Sequence, residues 1–469
     1  MARGKKKEAA LSPEERLQAA LVPENEQPYK VPGNWCWTRI GELSTLYRGV
    51  SYKKQDAHTQ KNNQDYLILR GGNILEGTID VETNDNVYVH QNLVQNEQLV
   101  QKYDIIIVSS TGSSKVIGRA GISHKDYTDV AFGAFLTLVR PNNNVVKPFI
   151  AYYFQSNLYR NRIRDLASGI NINNIKASYI TESPIPFPPA HEQQRIVDRI
   201  ESLFAKLDEA KQKAQDALDS FETRKAAILH KAFTGELTAQ WRKEHGVGME
   251  SWKKTALKDV CDKIVCGKTP TGFIQPTGEI PYLKVYNIVD NKIDFESMPQ
   301  FIPKEIHEGK LKSSILKPCD VIMNIVGPPL RKIAIIPDNY PEWNMNQAIV
   351  RFRPYNSLQY RFLYYALVNP ETLDDVIAAT KGVVGQANIS VTQSRELVIP
   401  LPTTEEQTEI VRILDDILAK EQQAKEAAEK VLEQIELMKK AILARAFRGE
   451  LGTNDPGEES AVEMLKAIL

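Results

Sequence analysis

The stretch KAAILHKAFTGELT, residues 225–238, is written again as KKAILARAFRGELG at residues 439–452, 214 positions later. The register holds without a gap from Pro184–Thr238 against Val398–Gly452, and about 23 of the 55 paired positions are identical. Each block enters through Ile185-Pro186-Phe187-Pro188 or Ile399-Pro400-Leu401-Pro402. It runs on through Glu192-Gln193 or Glu406-Gln407 and closes on Gly235-Glu236-Leu237 or Gly449-Glu450-Leu451. Outward from these blocks the offset persists more faintly. Asn73 and Ile74 are answered by Asn287 and Ile288, and Asn174-Ile175 by Asn388-Ile389. A period this long excludes a solenoid. The chain reads as two copies of one module, and two copies point to pseudo-twofold symmetry.

Within each repeated block the apolar positions alternate in steps of four and three. The first series is Ile196, Ile200, Leu203, Leu207, Ala210, Ala214, Ala217 and Phe221; the second includes Ile410, Leu414, Ile417, Ala424, Ala428, Val431, Ile435 and Ile442. A 3.5-residue repeat sustained over about six heptads is a coiled-coil seam, with Glu, Lys and Gln on the solvated positions. Pro188-Pro189 and Pro402 forbid an earlier helix start, and Gly235 and Gly449 stand where C-capping glycines end a helix. A helix of about 43 residues would be about 65 Å long. The first helix leaves one module and delivers the chain to the next, so a partner helix packed along it must run back, antiparallel.

The expected fold class is therefore α+β: two pseudo-twofold-related α/β domains separated by a long antiparallel two-helix coiled coil. The expected segments are an N-terminal extension (1–31), a first variable domain (32–189), a central helix (190–236), a linker (237–250), a second variable domain (251–402), a distal helix (403–449) and a C-terminal tail (450–469). In each variable domain short β-rich runs precede a helix, expected over Pro148–Ala167 and Leu358–Ala379. Ser12-Pro-Glu-Glu15 is a capping box in the extension, and residues 460–469 form a short helix in the tail.

With 469 residues, 42% of them hydrophobic and 25% charged, the chain is globular and multidomain. It has no run of the length a membrane span needs, and its basic start lacks an apolar signal core, so a cytoplasmic location is expected. Cys36, Cys261, Cys266 and Cys319 lack zinc-ligand spacing and read as buried, reduced thiols; no metal site is expected. No dinucleotide or Walker phosphate loop, metalloprotease helix or nucleophile elbow occurs, and the chain reads as non-catalytic.

Formal net charge is zero, so a nucleic-acid surface must be a local patch; residues 32–190 and 251–402 each carry about +3. Polar loops concentrate the candidates. In the first domain these are Lys53, Lys54, Arg70, Asn73, Ser110, Ser113, Lys115, Arg119, Asn171, Asn173 and Lys176. In the second they are Lys268, Thr269, Lys284, Asn287, Arg331, Lys332, Lys381, Gln386 and Asn388. Lys and Arg suit phosphates and guanine edges, and Asn and Gln can pair with adenine. Each residue alone reads more readily as a solvated loop or turn, and Asn73 and Asn287 read equally as turn residues. The recurrence of Gly-rich basic loops in both copies is what lifts the group.

These residues resemble the specificity subunit of type I restriction-modification systems. The carriers are the Ile-Pro-x-Pro entries with Glu-Gln and Ile-Val (185–197, 399–411), the Ala-Phe-x-Gly-Glu-Leu exits (232–237, 446–451), the run from Arg48 to Lys54, and Ser168-Gly-Ile-Asn-Ile-Asn-Asn-Ile175. The resemblance covers nearly the whole chain. It implies two target-recognition domains that each read half of a split double-stranded DNA site, held apart by the helices, which dock two methyltransferase subunits. Restriction and translocation subunits would join that assembly. S-adenosylmethionine, ATP and Mg²⁺ would belong to those partners, with no cofactor on this chain. The residues the resemblance offers for docking are Glu192, Gln193, Phe233, Glu236, Leu237, Glu406, Gln407, Phe447, Glu450 and Leu451.

Overall fold

The computed structural model describes residues 12–113, 115–168, 174–380 and 388–469. They divide into two compact units. One runs up to Lys213 and resumes at Val431–Leu469; the other is Ala214–Lys430.

In the first unit the run Ile105–Val108 is all β-branched and wholly buried, so it becomes a central strand with both faces covered. The alternation sorts its side chains between two cores. Ile105 and Ile107 enter the core shared with the helices, and Ile106 and Val108 enter a second core on the opposite face. The sheet order is Ser44–Arg48, Leu136–Pro141, Ile105–Val108, Ala120–Ile122, every pair antiparallel. A three-stranded sheet stands beside it. There Asp65–Leu69 pairs antiparallel with Val87–His90 and parallel with Val130–Phe132.

The second unit repeats this scheme. Its four-stranded sheet runs Val265–Cys266, Ile349–Phe352, Val321–Asn324, Ile333–Ile335. Val321 and Met323 face the helical core, and Ile322 faces the other. Ile280–Leu283 pairs with Phe301–Ile302 and, in parallel, with Asn344–Met345. In each unit a two-stranded ribbon joins the two ends of the α/β domain: Cys36–Arg39 with Pro184–Phe187, and Lys253–Ala256 with Val398–Leu401.

The expected domain helices are each broken in two, for different reasons. Lys147–Gln155 and Asn157–Ser168 part at Ser156, which is extended and whose hydroxyl donates to the Tyr153 carbonyl at 2.6 Å. Tyr360–Val368 and Pro370–Thr380 part at Asn369, because the residue before a proline is pushed out of the helical region. The repeated blocks form Ala190–Asp219 and Phe221–Phe233 in one copy and the single 43-residue helix Thr404–Ala446 in the other. In the first unit Asp208 meets Lys439 and Lys211 meets Glu436; in the second Arg224 meets Glu421 and Lys425 sits over the Phe221 ring. As one number rises the other falls, so the paired stretches are antiparallel within each unit. These pairs are partly solvated and each contributes less than about 1 kcal/mol, so they select register more than they add stability.

Gly235 and Gly449 end the repeated helices with φ of +84° and +72°, the left-handed C-cap that glycine allows. The backbone N–H of Leu237 then reaches the Lys231 carbonyl, and that of Glu450 the Arg445 carbonyl. At the N-terminus, Ser12 and Glu15 close their capping box ahead of Pro13–Ala20, and Ser460 caps Ala461–Ile468. Leu17, Ala20, Ala461 and Leu465 all enter the core of the first unit. Two of the four thiols are buried as expected and two are not. Cys36 and Cys261 are buried, and burial pushes both up to about 12. Cys266 is half-buried and Cys319 exposed, the latter in a turn at φ +70°.

Candidate nucleic-acid interface and docking surfaces

Four of the candidates on the first domain come together. Lys54, Arg70, Ser110 and Arg119 line one cleft of about 1000 Å³, together with Tyr52, the Gly71-Gly72 turn, Asp85 and Phe135. The cleft exists because two glycines let main chains approach. A Cβ on Gly49 would meet the Gly133 carbonyl oxygen at 2.1 Å, so the loop after Arg48 can lie flat against residues 132–134. Arg119 is half-buried and tied by its Nη2 to the Gly71 carbonyl at 2.9 Å, which fixes its guanidinium against the cleft wall. Lys53, Ser113, Lys115 and Lys176 are exposed but do not line the cleft; Lys176 lies 5.9 Å from the Tyr179 ring.

Asn73 is buried, which removes it from any DNA-facing surface. Its Oδ1 accepts from the Arg70 N–H, while its Nδ2 reaches the Asp80 carbonyl, Thr83 and Asn86. Asn287 repeats this role, accepting from the Lys284 N–H and donating to Asp294 and Met298 carbonyls. Both are turn residues that saturate their own amides, so no group is left over for a base.

The second domain spends more of its candidates internally. Arg331, at φ +73°, pairs with Asp374 and donates to the Pro370 carbonyl. Lys332 donates its Nζ to the Val285 carbonyl at 3.3 Å, and Lys284 sits over the Tyr286 ring. Lys268 is exposed; Thr269, also exposed, donates to Gln347. Asn388 is exposed and bridges Val326 through its backbone, as Asn174 bridges Ser110. Asn171, Asn173, Lys381 and Gln386 lie outside the described residues.

Main-chain bonds show which positions of the two domains correspond. The Val50 N–H donates to Phe132 as Lys268 does to Met345, and Gly133 donates to Leu69 as Asn346 does to Leu283. The Ser109 N–H donates to the Phe135 carbonyl as Ile325 does to Ala348. Phe135 and Ala348 therefore occupy one position on one scaffold. Phe135 was not among the sequence candidates.

The docking candidates are mostly not surface groups. Glu192, Gln193, Glu406 and Gln407 are fully buried, Phe447 is 1% and Phe233 8% exposed. Gln193 accepts from the Val146 N–H, satisfying the start of helix Lys147–Gln155, and donates to Pro188. Gln407 does the same for Gln359 and Pro402. Glu406 accepts from Thr238 at 2.7 Å, Arg242 at 2.5 Å and the Trp252 indole at 2.9 Å. Glu192 accepts from Thr453 at 2.8 Å and Arg195 at 2.7 Å, and burial holds its carboxyl above the usual range. Arg195 also binds Glu458, whose carboxyl it holds below that range. The repeated Glu-Gln pairs thus lock each helix to its own domain, which explains their recurrence without a partner. Phe233 packs at a tilt against Phe362, and Phe447 packs at a tilt against Phe149 and edge-on against Tyr153. Leu237 and Leu451 are half-buried, leaving Glu236 and Glu450 exposed at the helix ends.

Among the described residues no group of His, Cys, Asp or Glu is placed to hold a metal, and no helix is long and apolar enough to cross a membrane.

A duplicated α/β scaffold with basic, cleft-forming loops and paired long helices defines a class of recognition protein. Residues 32–218 and 249–434 both match the model of the type I restriction modification DNA specificity domain, so the chain belongs to that family and carries two target-recognition domains. The chain is 29% identical over 453 residues to the EcoKI specificity subunit of Escherichia coli K12, covering 94% of this chain and 96% of that one. It is also 29% identical over 460 residues to the StySPI specificity subunit of Salmonella potsdam, with the same coverage. Among solved structures, the HsdS subunit from Thermoanaerobacter tengcongensis superposes with a TM-score of 0.57 at 20% identity, over 91% of this chain and all of that one. A chain from work on complex assembly and conformational transition of the type I R-M system gives 0.68 at 20% identity, over 90% and 100%.

Proposed function

We propose that this chain directs a type I restriction-modification complex to a bipartite DNA sequence, each target-recognition domain reading one half. The observation that carries this is one main-chain hydrogen-bond scheme used twice with different side chains at equivalent positions: Val50 against Lys268, Gly133 against Asn346 and Phe135 against Ala348. Two copies of a scaffold that keep their frame and vary their surface suit two different half-sites. Phosphates would meet Lys53, Lys54, Arg70, Arg119 and Lys268, which position the duplex while other side chains address base edges.

The two helical segments act as an antiparallel coiled coil that spaces the half-sites, near one turn of duplex or about 10 bp centre to centre. Their exposed ends, with Glu236 and Glu450, offer similar surfaces to two methyltransferase subunits. Methylation of adenine, and restriction with nuclease-translocase subunits, would then be partner chemistry in the cytoplasm. S-adenosylmethionine, ATP and Mg²⁺ go with those partners.

The test is binding of the full chain, assembled with its methyltransferase partners, to duplex carrying its motif across a salt series. Counterion release predicts a steep linear fall of log affinity with log salt. Inserting one heptad into only one helix should abolish activity or change the unspecified spacer. A flat salt response, or an unchanged motif in the heptad mutant, contradicts this reading.

A further inference from the structure

We propose that Phe135 is a specificity-determining residue of the first recognition domain, its ring making an apolar contact with bases of the half-site that this domain reads. The inference rests on the DNA-reading function above and names one residue that performs it.

Three observations converge on this side chain. The residue is 69% exposed, the largest value for a bulky hydrophobic among the described residues. Its backbone, by contrast, is held fast. The Phe135 carbonyl accepts from the Ser109 N–H at 3.1 Å, the Ser110 N–H at 3.0 Å and the Ser109 hydroxyl at 3.0 Å. The neighbouring Leu136 N–H closes on the Gly133 carbonyl at 2.9 Å. A ring on so constrained a main chain is presented to solvent in a defined place, which limits the ordering cost of a contact. The fold gains nothing from its exposure, since burial is where an aromatic ring contributes stability.

The ring's surroundings specify the ligand. It borders the cleft whose walls carry Lys54, Arg70 and Arg119 against one carboxylate, Asp85. Cations flanking an apolar projection suit a duplex: phosphates take the charges and the ring meets a thymine methyl or enters a base step. Asp85 repels phosphate but can accept from a base amino group. At the equivalent position the second domain has Ala348, which cannot reach as far. The contact therefore belongs to one half-site only.

The experiment uses the full chain with its methyltransferase partners, comparing wild type, Phe135→Ala and Phe135→Trp. Each is measured on synthetic duplex bearing the wild-type motif, and each is mapped for methylated sites genome-wide. Phe135→Ala should lose affinity by roughly fivefold to a hundredfold, the range for losing one aromatic contact with a base. It should relax one or two positions in a single half of the motif, with the other half and the salt slope unchanged. Phe135→Trp should retain most of the preference. An unchanged affinity and motif for Phe135→Ala overturns the proposal. Equal loss of both halves with lowered thermal stability also overturns it, by assigning Phe135 a structural role. If wild type itself shows no split motif, the DNA-reading function fails and this proposal with it, a result recognisable because every variant then behaves alike.

Discussion

The two units close the same joint with different parts of the chain. In Ala214–Lys430 the buried carboxylate of Glu406 is satisfied by Thr238, Arg242 and Trp252, all from the segment that leads into the second domain. In the other unit Glu192 is satisfied by Thr453 and Arg195, with Glu458 behind them, and the Trp35 indole donates to Asn454. There the far C-terminus does what a linker does in the second unit, reinforced by the Asn34 and Tyr29 side chains reaching Asp455 and Phe447. One unit is thus contiguous in sequence and the other is built from two stretches more than two hundred residues apart. Residues 431–469 are therefore structural to the first recognition domain, which forms its last contacts only after those residues are made.

Four measurements test the difference between the two joints. The largest effect is expected from Arg242→Met. Arg242 is 7% exposed, and its loss leaves the Glu406 charge buried without a cation, with Thr238 and Trp252 its remaining donors, costing about 3–5 kcal/mol in the second unit. Next, Leu465→Ala should cost about 2–4 kcal/mol, because Leu465 is wholly buried in the first unit's core. The damage should stay in that unit, although the mutation lies at the opposite end of the sequence. Denaturant unfolding with a probe in each unit reads both.

Arg195→Met should be milder, about 1 kcal/mol, since its side chain is 38% exposed and Thr453 still serves Glu192. Its pH dependence has a defined sign. Glu192 titrates above its unfolded value because it is buried, so the stability linked to its protonation is present at low pH and lost as pH rises through the folded pKa. The Arg195→Met deficit should therefore grow with pH above the ordinary glutamate range and level off once Glu192 is ionised. Equal penalties for Arg242→Met and Arg195→Met at neutral pH would erase the distinction between the two joints.

Thiol labelling gives the smallest perturbation. At pH 8 in the native state Cys319 should alkylate first, with Cys36 and Cys261 silent, their thiols raised to about 12 by burial. Cys36 then reports opening of the first unit and Cys261 of the second. In Leu465→Ala, labelling of Cys36 should accelerate and that of Cys261 should not.

Much of this was legible in the residues. The duplicated helix ends, the C-cap glycines, the α+β class and both terminal helices follow from periodicity and capping chemistry, which are local. The Glu-Gln pairs illustrate what repetition does not reveal. Their recurrence marked them as important, but an intramolecular lock and a docking surface leave the same trace in one sequence. Their burial, set by contacts with Val146 and Gln359 far along the chain, is what assigns them to the lock. Asn73 and Asn287 were legible as turn residues and as base readers, and only their saturated amides decide. Phe135 gave no signal at all. At the repeat's offset it falls opposite Ile349, and only the ladder bonds reveal the one-residue slip that pairs it with Ala348.

The most direct measurement of the central claim is a long-read methylome of the native host with this gene intact and deleted, the methyltransferase partner being expressed in both. The account predicts a split motif, with a methylated adenine in each half and unspecified bases between, that disappears on deletion. A methylome in which no modified motif changes would contradict it.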